Sequence, residues 1–289
     1  MTTYLVGVDA SEHSRDALRW ALAVASEGDP IVAVHAWDMP VVTGYEGGAA
    51  VDPAAAEASA ADFVRAVVAE LGPDRVDARV GGGPPGPSLV EAAEASGPDV
   101  VVVVGHGGSG KASLLLGSTA HHVVHHAAAP VVVVRGELRI PVRRVVVGVD
   151  GFDADEGPDD RSMAALRWAL RLPAVTHVDV SHADFVPAVA AGPVREPGLE
   201  SDEEVAQDDS RLRHAIAEAT GGTGVAPNGA EIVAVVAAGT GAFALIEASR
   251  DADLVVIGTR GRSGLVELIL GSTTLEVLAH AHCPVAVLR

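Results

Sequence analysis

The 289-residue chain has one cysteine, few aromatic residues and no long hydrophobic run. Cys283 cannot form an internal disulfide, and the sequence holds no Cys/His framework for a structural metal. Aromatic residues make up 3% of the chain, which disfavours the stacking surfaces that bind single-stranded nucleic acid. The longest aliphatic run, Val100 to Val104, is far too short to span a membrane, and no basic, apolar leader is visible. We therefore expect a cytoplasmic protein.

Basic residues are outnumbered by acidic ones. The chain has 20 Lys and Arg against 39 Asp and Glu, for a formal net charge of −19 at pH 7. Such a charge repels polyphosphate backbones and anionic membrane surfaces. Hydrophobic residues account for 48% of the chain, enough to build a core. We expect a globular protein that binds neither nucleic acid nor a membrane.

The chain contains the same pattern twice. The matching segments are 4–9 with 145–150, 17–22 with 165–170, and 129–135 with 283–289. Self-similarity at this spacing predicts two homologous domains, residues 1–136 and 141–289, joined by a short linker.

Within each copy, short aliphatic segments alternate with amphipathic ones. This alternation predicts an α/β fold in which each domain is an open, five-stranded parallel sheet with helices on both faces, Rossmann-like in arrangement. The predicted strands are 4–8, 31–37, 76–80, 99–105 and 131–135 in the first copy, and 145–149, 176–182, 230–236, 253–258 and 284–288 in the second. The predicted helices are 14–26, 54–71, 87–97 and 118–128, and 162–171, 201–219, 241–251 and 272–281.

A glycine-rich segment after the fourth strand of copy one is open to two phosphate-binding interpretations. Residues 105–111 match the Gly-x4-Gly-Lys of a Walker A loop, but Ala112 stands where a hydroxyl should hold Mg²⁺. The same segment matches the Gly-x-Gly-x2-Gly dinucleotide pattern, but it follows the fourth strand instead of the first. The aligned segment of copy two has Leu265 in place of Lys111 and preserves neither pattern.

Copy two carries a different pattern, Gly-x2-Gly-x9-Gly-Ser. Its fixed positions are Gly258, Gly261, Gly271 and Ser272. Glycines permit positive φ and let the backbone approach an anion closely. Gly271 begins a predicted helix, whose free amides and positive dipole end favour phosphate, and Arg260 and Arg262 add positive charge nearby.

These features resemble the universal stress protein family in its tandem two-domain form. The resemblance covers both halves of the chain and rests on the Val-Gly-Val-Asp segments ending at Asp9 and Asp150, the glycine pattern, and the Pro-Val-x-Val-x-Arg ends. It implies ATP binding, with Mg²⁺, by the subgroup that has this glycine pattern. It also implies pairing of the final strands, 131–134 and 285–288, as an internal pseudo-dimer and in a homodimer, and a protein partner that the sequence does not name.

The resemblance also implies roles for individual residues. Asp150 would lie beside the adenosine, the backbone of Ala183 at the adenine edge, and the motif glycines and Ser272 at the ribose and phosphates. The candidate site of copy two is Asp150, Ala183, Gly258, Arg260, Gly261, Arg262, Gly271 and Ser272, and that of copy one is Asp9, Ala36, Gly107, Gly117 and Ser118. A plainer interpretation makes the aspartates helix caps or turn-closing carboxylates, and the glycines turn residues.

Copy one departs from the pattern. In a gapless alignment Val104 takes the place of Gly258, and a β-branched residue resists positive φ and projects two methyl groups toward the ligand. We expect nucleotide in copy two and leave its presence in copy one open.

Residues that suggest metal or catalytic chemistry are few. Histidines 121, 122, 125 and 126 form two i,i+4 pairs on a predicted helix, but copy two has no such pair, so we expect surface histidines and no metal site. We assign no catalytic residue, because no nucleophile elbow, HExxH motif or dominant general base is present.

The sequence supports one leading hypothesis of function. It is an ATP-binding stress-response protein whose nucleotide state regulates conformation or partner choice, without catalysis or with very slow ATP hydrolysis or self-phosphorylation at Ser272. The alternative is a nucleotide-independent, dimerising interaction scaffold. Nucleotidyl transfer would need a His-x-Gly-His signature, which the sequence lacks.

Overall fold

Val-rich strands and amphipathic helices alternate along the chain in the computed structural model. It describes residues 1–38, 52–72, 74–105, 116–150, 159–184, 202–259 and 270–289. Ten strands and eight helices lie in these ranges, divided between two compact units, Met1–Val134 and Arg135–Arg289. Of the predicted site residues, Gly107, Arg260, Gly261 and Arg262 lie outside the described residues.

The first unit is a five-stranded parallel sheet with four helices. The strands are β1 (Tyr4–Gly7), β2 (Ile31–Trp37), β3 (Val76–Gly82), β4 (Val100–Val104) and β5 (Val131–Val134). The helices are α1 (Glu12–Val24), α2 (Pro53–Leu71), α3 (Pro85–Ser96) and α4 (Ser118–His126). The strand order is β3-β2-β1-β4-β5, so the direction of winding changes between β1 and β4.

The second unit repeats this architecture. Its strands are β6 (Arg144–Gly148), β7 (His177–Asp184), β8 (Glu231–Ala238), β9 (Leu254–Gly258) and β10 (Val285–Leu288). Its helices are α5 (Asp160–Ala169), α6 (Asp202–Ala219), α7 (Gly241–Ala248) and α8 (Ser272–His280). The order β10-β9-β6-β7-β8 places the change of winding between β6 and β9. The predicted α/β fold is confirmed in both copies.

Aliphatic residues of the central strands form the core of each unit. In β4 the side chains of Val100 to Val103 are at most 2% exposed, and Leu254 to Ile257 of β9 are at most 3% exposed. Strands covered by helices on both faces are buried on both sides, which explains why they are continuous aliphatic runs without alternation. Full burial of each such side chain contributes roughly 1.5–3 kcal/mol.

The strand register identifies equivalent positions in the two units. Val6 lies opposite Val102 in the first sheet, and Val147 lies opposite Val256 in the second. Val104 lies two residues after Val102, and Gly258 lies two residues after Val256. The two residues therefore occupy equivalent positions at the ends of β4 and β9. Within the described ranges, no helix has the length and apolar character needed to cross a bilayer.

Candidate functional site

A cavity of about 450 Å³ lies in the second unit, at the carboxyl ends of β6, β7 and β9. Ligands of open α/β sheets bind at this edge, where the winding changes. The volume falls within the usual range for small-molecule sites, roughly 300–1,000 Å³. The lining residues come from the strand ends and from the first turns of α5, α7 and α8: Gly148, Val149, Asp150, Ser162, Ser181, Ala183, Gly241, Leu245, Ile257, Gly258, Leu270, Gly271, Ser272, Thr273 and Thr274.

The structure brings together every predicted site residue of copy two that it describes. These residues are Asp150, Ala183, Gly258, Gly271 and Ser272. Sequence reasoning missed four hydroxyl-bearing residues of the lining, Ser162, Ser181, Thr273 and Thr274. The repeat held a signal for Ser162, because Ser14 occupies the same position before the matched Ala-Leu-Arg-Trp segment of copy one.

Helix α8 begins at the cavity without a capping side chain. Its N-cap residue is Gly271, whereas Asp159 caps α5 and Thr240 caps α7 with side-chain oxygens. The first main-chain bond of α8 runs from the Leu275 N–H to the Gly271 carbonyl at 3.1 Å. The amides of residues 272–274 make no hydrogen bond within the described part of the chain. An uncapped helix start of this kind is a site at which backbone amides and the helix dipole favour an anion.

The backbone of Asp150 is fixed by the start of α5. Its N–H donates to Ser162 Oγ at 3.0 Å, and its carbonyl accepts the N–H of Asp159 at 3.3 Å. Asp159, not Asp150, caps α5. Burial raises the pKa of the Asp159 carboxyl above its usual value, against the opposing effect of the bonds it accepts from Ser162 and Arg161. The exposed side chain of Asp150 lies at the cavity and is not the cap of the helix.

In copy one, Asp9 has the turn-closing role of the plainer interpretation. Its carboxylate accepts the backbone N–H of Ser11 at 2.9 Å and also the Ser11 hydroxyl. Ser11 in turn caps α1 by accepting the N–H of Ser14. The two equivalent aspartates therefore differ in how they contact the neighbouring helix start.

A histidine that sequence reasoning did not assign stabilises the end of the first strand in each unit. His182 donates from Nδ1 to the carbonyl of Val149 at 2.9 Å, and His35 does the same to Val8 at 2.8 Å. Val149 and Val8 directly precede Asp150 and Asp9. These contacts hold the strand end from which each aspartate extends.

Packing accounts for the glycine at position 258. A Cβ atom there would lie 3.0 Å from Cβ and 3.3 Å from the carbonyl carbon of Arg161, at the start of α5. Gly271 and Gly117 do not use the positive φ that glycine permits, because their φ angles are −63° and −62°. Both glycines have extended backbone before a helix.

The equivalent cavity of the first unit is smaller, about 240 Å³. It contains four predicted residues of copy one, Asp9, Ala36, Gly117 and Ser118. Pro85, Leu89, Val103 and Val104 also line it, which makes its wall largely aliphatic. Helix α4 begins there at Gly117 without a capping side chain, as α8 does at Gly271.

Comparison with known proteins identifies the family. The model of the universal stress protein family matches residues 1–135 and again 141–289. The chain belongs to the universal stress protein family. The two matches establish its tandem two-domain form.

Individual relatives agree with this assignment. A universal stress protein of Mycolicibacterium smegmatis is 32% identical over 302 residues, covering 99% of this chain and 96% of the relative. A universal stress protein of Mycobacterium tuberculosis is 28% identical over 148 residues. This match covers 51% of the present chain and 48%, about half, of the relative. The crystal structure of a universal stress protein from Archaeoglobus fulgidus has the same fold, with a TM-score of 0.65, 19% identity and coverage of 99% of this chain and 97% of that one.

Proposed function

We propose that this universal stress protein binds ATP in the cavity of the second unit, and that bound nucleotide regulates its conformation or partner choice in the stress response. The observation that carries the proposal is the uncapped start of α8 at the wall of a cavity large enough for a nucleotide. In a chain of net charge −19, an anion needs such local donors to bind.

The lining residues match the parts of a nucleotide. The amides of residues 272–274 and the hydroxyls of Ser272 and Thr273 would bind phosphate oxygens. Asp150 would accept hydrogen bonds from the sugar, and the strand end at Ala183 would contact the base. In the sequence, Arg260, Gly261 and Arg262 lie between β9 and α8, where they would add positive charge and close backbone approach.

Magnesium would be held mainly by the nucleotide. The described ranges contain no group of three or more metal-binding side chains. Mg²⁺ is commonly bound by phosphate oxygens, several waters and one or two carboxylates, and Asp150 is a carboxylate at the cavity wall.

Proline at the first position of α8 tests the proposal. Proline fits this position because its ring pre-sets helical φ, and Gly271, with ψ of 153°, has the extended backbone that a residue before proline requires. Ser272→Pro would remove one amide donor and one hydroxyl. A charge-assisted hydrogen bond is worth about 1.5–3 kcal/mol, so loss of the amide alone should weaken ATP binding roughly ten- to hundredfold by calorimetry, and loss of the hydroxyl should weaken it further.

The matched control is Ser118→Pro at the start of α4. Gly117 has ψ of 150°, so the backbone tolerates proline equally well there. If the second unit carries the principal site, Ser118→Pro leaves most of the ATP binding heat unchanged. The proposal fails if nucleotide-free wild-type protein gives no heat with ATP·Mg²⁺ at millimolar concentration, or if folded Ser272→Pro binds as tightly as wild type.

The scaffold alternative has one observation in its favour. The contact with Arg161 requires a small residue at position 258 whether or not nucleotide binds. A scaffold that associates through its final strands, 131–134 and 285–288, would sediment as the same species with and without ATP. A phosphate-release assay would detect slow ATP hydrolysis. Self-phosphorylation would instead transfer the γ-phosphate to the Ser272 hydroxyl and release ADP, so the test is intact-protein mass spectrometry after incubation with ATP: one added phosphate in wild type and none in Ser272→Ala.

A further inference from the structure

Helix α4 carries histidines on successive turns in two pairs with adjacent rings, one pair stacked and one tilted. The rings of His122 and His126 have centroids 4.1 Å apart and planes inclined by 20°. Those of His121 and His125 have centroids 4.3 Å apart and planes inclined by 42°. Imidazoles at i and i+4 on one helix face can bind a common metal ion once the rings turn so that their in-plane nitrogen lone pairs converge.

The hydrogen bonding of His126 fixes which of its nitrogens can bind a ligand. Its Nδ1 donates to the backbone carbonyl of His122 at 2.8 Å. Nδ1 therefore carries the proton, and Nε2 presents a lone pair. Main-chain bonds of this kind commonly orient metal-binding histidines.

Close packing positions His122. A Cβ atom at Gly86 of α3 would lie only 2.8 Å from Cβ and 2.9 Å from Cγ of His122, so the α3 backbone lies directly against the base of this side chain. His122 is half-buried, and His126 is exposed. The first imidazole of the pair is thus held by the fold, and the second faces solvent.

The sequence led us to expect surface histidines without a metal site; from the ring contacts of α4 we propose instead that His122 and His126 chelate a divalent transition ion of the Zn²⁺ or Ni²⁺ class at the surface of the first unit. Imidazole nitrogen suits these ions, whereas Mg²⁺ and Ca²⁺ require oxygen ligands. In the described ranges no third His, Cys, Asp or Glu completes a group around either pair. Water or a ligand from outside the chain fills the remaining positions, so the ion keeps exchangeable coordination sites.

The second unit supplies an internal comparison. Glu276 and His280 of α8 occupy the positions of His122 and His126, counted from the helix starts at Ser272 and Ser118. His280 donates from Nδ1 to the Glu276 carbonyl at 3.0 Å, the same backbone contact that His126 makes. Only the imidazole at the position of His122 is missing from α8.

Titration of the untagged, metal-free full chain with NiCl₂ tests the proposal, with binding followed by calorimetry and by NMR of the histidine rings. We expect one principal site, with roughly tenfold or greater weakening in both His122→Ala and His126→Ala, because each removes half of the protein ligands. His280→Ala is expected to bind Ni²⁺ as wild type does. Glu276→His is expected to add a second site, since it pairs two imidazoles on α8. MgCl₂ should produce no change.

Three results would count against this assignment. One is equal Ni²⁺ affinity in wild type and in the double variant His122→Ala, His126→Ala, with helix content unchanged by circular dichroism. Another is loss of binding in His121→Ala with retention in His126→Ala, which would move the site to the neighbouring pair. An unaltered stoichiometry in folded Glu276→His would contradict the chemistry on which the proposal depends.

Discussion

Substitution of Gly258 by valine tests whether packing, and not only a ligand, requires glycine at the end of β9. The first added carbon would lie 3.0 Å from Arg161 Cβ and 3.3 Å from its carbonyl carbon. Carbon atoms pack best at about 3.5–4.0 Å, so α5 must move before the two further methyl groups of valine are accommodated. Overpacking of this kind costs about 1–3 kcal/mol.

Differential scanning calorimetry measures the effect. In a domain of this size, 1 kcal/mol shifts Tm by roughly 2–4 °C, so Gly258→Val should unfold the second unit several degrees earlier than wild type. Gly82→Val is the control, because Gly82 is exposed and a Cβ there meets no atom within 4 Å. The reasoning is refuted if the two variants unfold at the same temperature. If Gly258→Val is instead stable but fails to bind ATP, the glycine serves the ligand.

Three further predictions concern Cys283 and Asp159 of the second unit. Burial raises the pKa of the Cys283 thiol to about 12, so the native protein should not react with a disulfide reagent at mildly alkaline pH. Protein unfolded in urea should react fully. Rapid labelling of the native protein would contradict this prediction. Asp159 accepts the N–H groups of Arg161 and Ser162, each at 2.8 Å, so Asp159→Ala should lower the free energy of unfolding by about 1–2 kcal/mol in urea titrations. Because the folded pKa of Asp159 is raised, its titration contributes stability that is fully present below the unfolded value of 3.8 and is lost as pH rises through the folded pKa. Asp159→Asn should remove that part of the pH dependence, and an unchanged pH profile would count against it.

The fold could be predicted from the sequence because the repeat displays each element twice and the parallel strands are uninterrupted aliphatic runs. Element ends were harder to predict. We expected α1 to begin at residue 14, but it begins at Glu12 because the Ser11 hydroxyl caps it by accepting the Ser14 N–H. Strand β7 extends to Asp184, beyond the predicted end at residue 182, because its pairing with β8 continues past the last apolar position.

The candidate site was only partly predictable. The strand-end aspartate and the helix-start glycine and serine follow from topology, because carboxyl ends and helix starts meet at one edge of a parallel sheet. The roles of Ser162 and His182 do not follow from topology. Their hydrogen-bond partners are main-chain groups of Asp150 and Val149, which only folding brings near. The contact of Gly258 with Arg161 likewise has no local signature in the sequence.

The bond from each strand-end histidine to a main-chain carbonyl works as a side-chain crosslink between neighbouring strands. A carbonyl oxygen can only accept, so Nδ1 of His35 and of His182 carries the hydrogen, and each imidazole ring is held in one orientation. His35 belongs to β2 and His182 to β7, whereas Val8 and Val149 follow the first strand of each unit. A shift of β2 or β7 would therefore be transmitted directly to the segment that bears Asp9 or Asp150.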